Sequence, residues 1–230
     1  MTSLRLLPRA ALLAIFLALG ATALIPSAAG AATRSGRCAH RASYKQGSGT
    51  GGTSRPRCGR RRHRHAPHAG ASCRHTNLRP NAANLDLIRG AVLCLIDRER
   101  ARHGERALRP NMRLRRAAQG HSESMARGAY FAHVGPGGLT PLARMRAVGY
   151  ISRRTRGYEV GENIAFGTLW LASPRAIVAA WMASPGHRAN ILDGRFRDTA
   201  IGVSPHVAGT LSHGQAGAVY TQDFGVRLGR

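Results

Sequence analysis

Apolar residues return at helical spacing in four stretches of the chain. Between Asn84 and His103, Leu85, Ile88, Val92 and Leu95/Ile96 recur at steps of three and four, which predicts a helix with one buried face. Gly104 is placed to supply a left-handed cap behind it. Asn111 reads as the N-cap of a second helix that ends at Gly128, with Leu114, Ala118, His121 and Met125 on one side. Thr140-Pro141 gives the N-cap and first turn of a short third helix, with Leu142, Met145 and Val148 facing inward and Gly149 stopping it. Ser173-Pro174 repeats that start signal ahead of Ile177, Val178, Trp181 and Met182, and Pro185-Gly186 breaks the helix. The period then changes. Residues Ala200 to Val207 and Ala218 to Val226 are rich in β-formers with partial alternation, joined as a hairpin by the polar, glycine-bearing stretch Ala208 to Gly217. Helices first and strands last predict an α+β fold rather than a parallel βαβ array.

Charge divides the chain. It carries 35 Lys and Arg against 10 Asp and Glu, a net charge of +25, yet no acid precedes Asp86. Residues 32–80 hold twelve basic residues, no acid and hardly any large apolar side chain. Such a segment buries too little surface to offset chain entropy, so a disordered spacer is expected. Its arginines suit adhesion to an anionic cell-wall polymer, and a solvated spacer is the plainer alternative. Nucleic acid is not the expected partner. His63, His65 and His68 in this stretch would hold a metal only adventitiously.

The first 31 residues resemble an export signal. Arg5 and Arg9 precede an apolar run from Ala10 to Ile25, and Ala29-Gly30-Ala31 fits the small-x-small cleavage rule. No later apolar run is long enough to span a bilayer, so a secreted protein without a transmembrane segment is expected. Four cysteines remain, Cys38, Cys58, Cys73 and Cys94, and an exported chain permits their oxidation. Of the three possible pairings, Cys38–Cys58 and Cys73–Cys94 link neighbours in sequence. Residues 81–230 then form one domain of ordinary size. It contains no Walker loop, dinucleotide fingerprint or HExxH motif.

Five motifs follow one another within that domain. They are His121-Ser122-Glu123-Ser124-Met125-Ala126, Phe131-Ala132-His133-Val134-Gly135, Gly161-Glu162-Asn163-Ile164-Ala165, the run from Trp181 to Leu192 with Ser-Pro-Gly-His-Arg inside it, and Tyr220-Thr221-Gln222-Asp223-Phe224-Gly225. This order resembles the CAP superfamily of cysteine-rich secretory, antigen 5 and pathogenesis-related proteins, in its bacterial SCP-like branch. The resemblance implies a three-layer α-β-α sandwich with a central antiparallel sheet and a concave site. It also implies a metal-binding set of two His and two Glu. His133 matches the first His and Glu162 the first Glu. Ser184 stands where the second Glu would be and Val219 where the second His would be, so half the set is missing.

Two ligands alone make a weak transition-metal site. His187 is a candidate stand-in, so His133, Glu162 and His187 are the metal candidates, with zinc the expected ion. Tyr220 and Gln222 share a strand face expected to line the same cleft, while Asp223 faces the other way towards an arginine. His121, on an apolar helix face, reads as a hydrogen-bonded core histidine. Glu162 equally fits a carboxylate that holds its own loop. Three functions remain open. The first is a binding module whose cleft takes a small apolar or amphipathic ligand, lipid or sterol-like by family resemblance. The second is a divalent-metal-dependent hydrolase using His133 and Glu162. The third is an envelope adhesion protein held by its spacer.

Overall fold

The computed structural model describes residues 72–228. The expected export signal, Cys38, Cys58 and most of the expected spacer lie outside the described residues. The elements in chain order are α1 (Leu85–Arg102), β1 (Arg109–Pro110), α2 (Met112–Gly128), α3 (Pro141–Ala147), β2 (Gly157–Thr168), α4 (Pro174–Ala183), α5 (Pro185–Leu192), β3 (Asp198–Ser204), α6 (Gly209–Ser212) and β4 (Gly217–Leu228). The sheet runs β1-β3-β4-β2 and is antiparallel apart from the two-residue parallel pairing of β1 with β3. Helices α2 and α3 cover one face, and α1, α4 and α5 cover the other. This is the three-layer α-β-α sandwich.

The caps explain the helix boundaries. Asn111 accepts from the backbone N–H groups of Arg113 and Leu114, Thr140 from Ala143 and Ser173 from Ala176. Pro185 starts α5 rather than merely ending α4, because a proline at the first helical position loses no needed hydrogen bond. The left-handed cap of α2 is Ala129, not Gly128. Gly128 is required by packing instead, since a Cβ there would stand 2.9 Å from the Tyr130 ring.

Alternation along the strands feeds two cores. Ile201, Val203, Ala218, Tyr220 and Phe224 pack with Ile88, Val92, Ile96, Ile177 and Trp181 of the α1/α4 layer. Ala200 meets Leu114, Ala117 and Met145, and Val219 meets Met125 and Ile164, on the α2 side. Strand β4 is buried on both faces because it is central. The sequence pattern missed β2. That strand carries Gly157, Gly161 and Gly167 and a polar centre, and β4 alone pairs with it, over twelve residues.

The ordered fold begins ahead of residue 81, the boundary that charge and composition suggest. Cys73 is disulfide-bonded to Cys94 in α1. The carbonyl of Thr76 accepts from the Arg175 backbone, and Asn77 from the Arg175 side chain. A cross-link closing a loop of this length contributes roughly 3 kcal/mol, enough to dock a segment too polar to bury itself. Fully buried Arg100 ties α1 to the far end of α5, donating to the carbonyls of Ile191 at 2.6 Å and Asp193 at 3.0 Å. Among the described residues, no helix is long and apolar enough to cross a membrane.

Helix α2 lies directly on the sheet at Gly202, where a Cβ would overlap the Ala118 carbonyl. Beside it the Gln119 amide exchanges two hydrogen bonds with the Val203 backbone, at 3.0 Å each, replacing the neighbour that short β1 does not provide. Gly202→Ala is therefore expected to cost about 2–3 kcal/mol through displacement of α2, read as a lower urea midpoint with an unchanged slope.

Candidate functional site

On the α2 side of the sheet a set of charged groups is held beneath the loop that follows α2. Glu162 of β2 lies opposite Asp223 of β4 in the register. Paired residues project to the same sheet face, so both carboxyls point into the α2/α3 layer. His121 comes from α2, Arg144 from α3 and His133 from the intervening loop. The Glu162 side chain is only 2 % exposed and that of Arg144 7 %, whereas that of His133 is 43 % exposed.

Both oxygens of Glu162 are engaged. Oε2 accepts from Arg144 Nη2 at 2.6 Å, and Oε1 meets His133 Nδ1 at 2.8 Å. Burial by itself would push this carboxyl up. The His133 hydrogen bond and the Arg144 charge outweigh it and hold Glu162 below the ordinary carboxylate range. An ionised carboxylate only accepts, so His133 Nδ1 donates to it and Nε2 is the ring nitrogen left free of Glu162. Arg144 also donates to the carbonyls of Leu139, at 2.7 Å, and His133, at 3.0 Å. One guanidinium thus fixes the carboxylate and the loop that bears the imidazole.

His121 is buried, and its Nε2 donates to the Ala132 carbonyl at 3.0 Å. Desolvation lowers its pKa to about 4, so it is neutral although Glu162 lies 3.9 Å away. Asp223 does face away from Tyr220 and Gln222, but no arginine bonds it. It is fully buried with both carboxyl oxygens unpartnered. Burial first, then the Glu162 charge, raise its pKa well above the ordinary value.

Tyr220 and Gln222 do not line this site. Strand alternation puts them on the α1/α4 face, fully buried, with the Tyr220 hydroxyl donating to the Ala172 carbonyl at 2.6 Å. His187 also belongs to that layer. Its carbonyl accepts from Asn163 Nδ2 at 3.1 Å, and Asn190 binds Asn163 Oδ1 at 2.9 Å and the Glu162 carbonyl at 3.3 Å. Neighbouring residues of one motif therefore serve opposite layers: Glu162 the charged set, Asn163 the latch that holds α5. The His187 ring comes near enough to feel the charge of His133. Burial, then that charge, lower its pKa, and its Nδ1 is buried without a partner.

The expected metal set of His133, Glu162 and His187 is not assembled. Among the described residues no three His, Cys, Asp or Glu side chains come together so as to hold a metal ion. The donor chemistry gives the reason. A divalent cation at Glu162 would have to displace the Arg144 guanidinium and the His133 proton. Val219, standing where the family carries its second His, is fully buried against Ile164 and Met125. Ser184 serves as the junction between α4 and α5. The residues present do not fit zinc. Two surface cavities, of about 350 and 410 Å³, lie elsewhere: one between α4 and α5 around Met182 and Leu192, the other between Leu78, Asn84 and Leu169.

Sequence reasoning missed Arg144, because a lone arginine in a short amphipathic helix has no local signal. It missed the Asp223–Glu162 pairing because β2 was not recognised.

A model of the cysteine-rich secretory protein (CAP) family matches residues 93–224. The chain is 33% identical over 160 residues to the uncharacterized protein YkwD of Bacillus subtilis, a match covering 69% of this chain and 55% of that protein. It thus spans about half the length of that relative. Among solved structures, an extracellular protein containing an SCP domain from Bacillus anthracis is similar at a TM-score of 0.50 and 25% identity, over 65% of this chain and 44% of the other. An outer surface protein from Borrelia burgdorferi aligns at a TM-score of 0.48 and 16% identity, over 65% of this chain and 96% of the other.

The protonation states define a pH signature. Stability from ionised Glu162 is present above its unfolded pKa of about 4.3 and is lost as pH falls through its lower folded value. Stability from neutral His121 is full above the ordinary histidine value of 6.5 and shrinks as pH drops towards about 4. Asp223 acts in the opposite sense: its raised pKa costs stability as pH climbs above about 3.9. Asp223→Asn should therefore melt higher than the wild type at neutral pH and lose that advantage towards pH ~4. Thermal melts across this range check it, and a lower neutral-pH melting point in the variant would mean that Asp223 is ionised.

Proposed function

The chain belongs to the cysteine-rich secretory protein (CAP) family, and from that footing we propose that it is an extracellular ligand-binding domain whose recognition group is the exposed imidazole of His133. One observation carries the reading. His133 Nδ1 is fixed at 2.8 Å on a carboxylate that Arg144 holds in place. The ring is thereby oriented, and its second nitrogen is offered at a surface where the side chain is 43 % exposed. An oriented, partly dehydrated acceptor binds better than a freely rotating one, since little entropy remains to be lost.

The surroundings suit an amphiphile. Val134 and Leu139 are both about half exposed on the same loop as His133. That loop is closed by the Gly135 N–H bond to the Leu139 carbonyl, at 3.0 Å, and held from below by Arg144. A hydroxyl or protonated head group would donate to His133 Nε2 while an apolar body lies on Val134 and Leu139. A small lipid or sterol-like molecule has this character. Two further facts support an extracellular setting: the export-type pattern of the first 31 residues, and the similar Bacillus anthracis protein described as extracellular.

The same geometry supports a second reading, in which His133 Nε2 acts as a metal-free general base on water with Glu162 stabilising the charged ring. Turnover of an activated ester that disappears in His133→Ala would favour it over simple binding.

The direct test uses the full chain with a fluorescent fatty acid and a fluorescent sterol as probes. His133→Ala should keep its circular dichroism and weaken binding of at least one probe about tenfold, the ~1.4 kcal/mol of one good hydrogen bond. Undiminished binding in His133→Ala, or no binding of either probe to the wild type, overturns the reading.

A further inference from the structure

Charge within the domain is divided between layers as sharply as along the chain. Residues 106–158, which form β1, α2, α3 and the loop into β2, contain eleven arginines and one acid, Glu123. Five of these arginines are accounted for by partners or lie elsewhere on the layer. Arg144 holds Glu162, Arg115 meets Asp86 at 3.4 Å, Arg109 meets Asp198 at 3.0 Å and Arg127 meets Glu123 at 3.4 Å; Arg106 lies in the turn before β1. The other six, Arg113, Arg116, Arg146, Arg153, Arg154 and Arg156, are exposed and make no ion pair among the described residues.

Their contacts place them at one end of the sheet. Arg113 donates to the Gly149 carbonyl at 2.6 Å, and Arg116 to that of Val148 at 3.3 Å. These carbonyls lead into the 151–156 loop, where Ser152 and Thr155 close a turn that presents the three remaining arginines. Arg146 donates to the Tyr158 hydroxyl at 2.8 Å. Tyr158 pairs in register with Arg227, whose guanidinium lies 4.8 Å above the Tyr150 ring. So many like charges repel one another, and the nearest acid in sequence, Glu159, is taken by Arg195 at 2.9 Å. An anion arriving here relieves that repulsion.

We propose that this face, built from the start of α2, the end of α3 and the 151–156 loop, binds a linear polymer of phosphate groups that carries no bases. The cations are all arginine, whose planar fork matches phosphate oxygens two at a time. Arg113 and Arg116 are already oriented by the carbonyls they hold, so less freedom is lost on binding. A single-stranded nucleic acid would need free aromatic faces for its bases, but Tyr150 is buried under Arg227 and Tyr158 is covered by Arg146. A bilayer would need an apolar wedge. The exposed pair Leu169 and Trp170 sits beyond the opposite end of β2, roughly 35 Å along the strand, and the exposed apolar residues next to arginines of this end in sequence, Met112 and Leu228, are single side chains on separate elements.

The experiment measures binding of the full chain to long-chain inorganic polyphosphate as salt is varied, with an unstructured single-stranded oligonucleotide and anionic phosphatidylglycerol vesicles as comparison probes. The variant Arg153→Gln/Arg154→Gln/Arg156→Gln, on an exposed loop, should weaken polyphosphate binding at least tenfold at low salt. It should also flatten the log–log salt dependence by about two, three lost phosphate contacts at ~0.7 each. A second variant, Arg113→Gln/Arg116→Gln, should act in the same direction. A matched variant in the basic spacer, Arg60→Gln/Arg61→Gln/Arg62→Gln, separates the two charged regions. If it removes the binding while both face variants behave as wild type, the proposal fails. It fails equally if the oligonucleotide or the vesicles bind more tightly than polyphosphate and depend on the same arginines.

Discussion

An ionised carboxylate beneath a helix layer needs a counter-charge at contact distance, and here the contact is the 2.6 Å bond from Arg144 to Glu162. Much of the α2 side of the domain follows from it. Glu162 can stay charged while almost wholly buried, and its second oxygen then orients the His133 ring through Nδ1. The same guanidinium takes the carbonyls of His133 and Leu139, so the loop over the site is fastened by the group that neutralises its floor. Asp223, opposite Glu162 on the next strand, has no counter-charge bonded to it, and burial with the Glu162 charge raises its pKa well above the ordinary value. The Arg144 cation thus stands in a space where two bare carboxylates would repel each other.

This arrangement also explains why the domain does not assemble the metal-binding set that the resemblance implies. The expected ligands at residues 184 and 219 are replaced by a helix-junction serine and a core valine. Their loss is matched by an arginine on the remaining glutamate. A carboxylate bonded to a guanidinium is a poor ligand for a dication, and His133 and Glu162 stand here as a hydrogen-bonded pair.

Much of the fold was legible in sequence because its signals are local. The capping residues Asn111, Thr140 and Ser173 and the apolar stripes of α1, α2 and α4 act within a few residues. The convergence of His133 and Glu162 was legible only through motif resemblance, for 29 positions separate them. Strand β2 was hidden because glycines that admit Phe196 and the Leu171 carbonyl dilute its β character. Without that strand the faces could not be assigned. Tyr220 and Gln222, expected at the site, lie across the sheet from the charged set, and Asp223, expected to face an arginine, bonds none. Arg144 acts over 18 residues through tertiary structure alone, and no spacing rule points to it.

The central claim is that Arg144 and Glu162 form one energetic unit, and a double-mutant cycle measures this directly. Arg144→Met and Glu162→Gln should each cost about 3 kcal/mol by urea denaturation at neutral pH, since each strands the other partner. The double variant should cost little more than either one, a coupling of about 2 kcal/mol or more. Losses that simply add would show that the two groups do not depend on each other and would contradict the account.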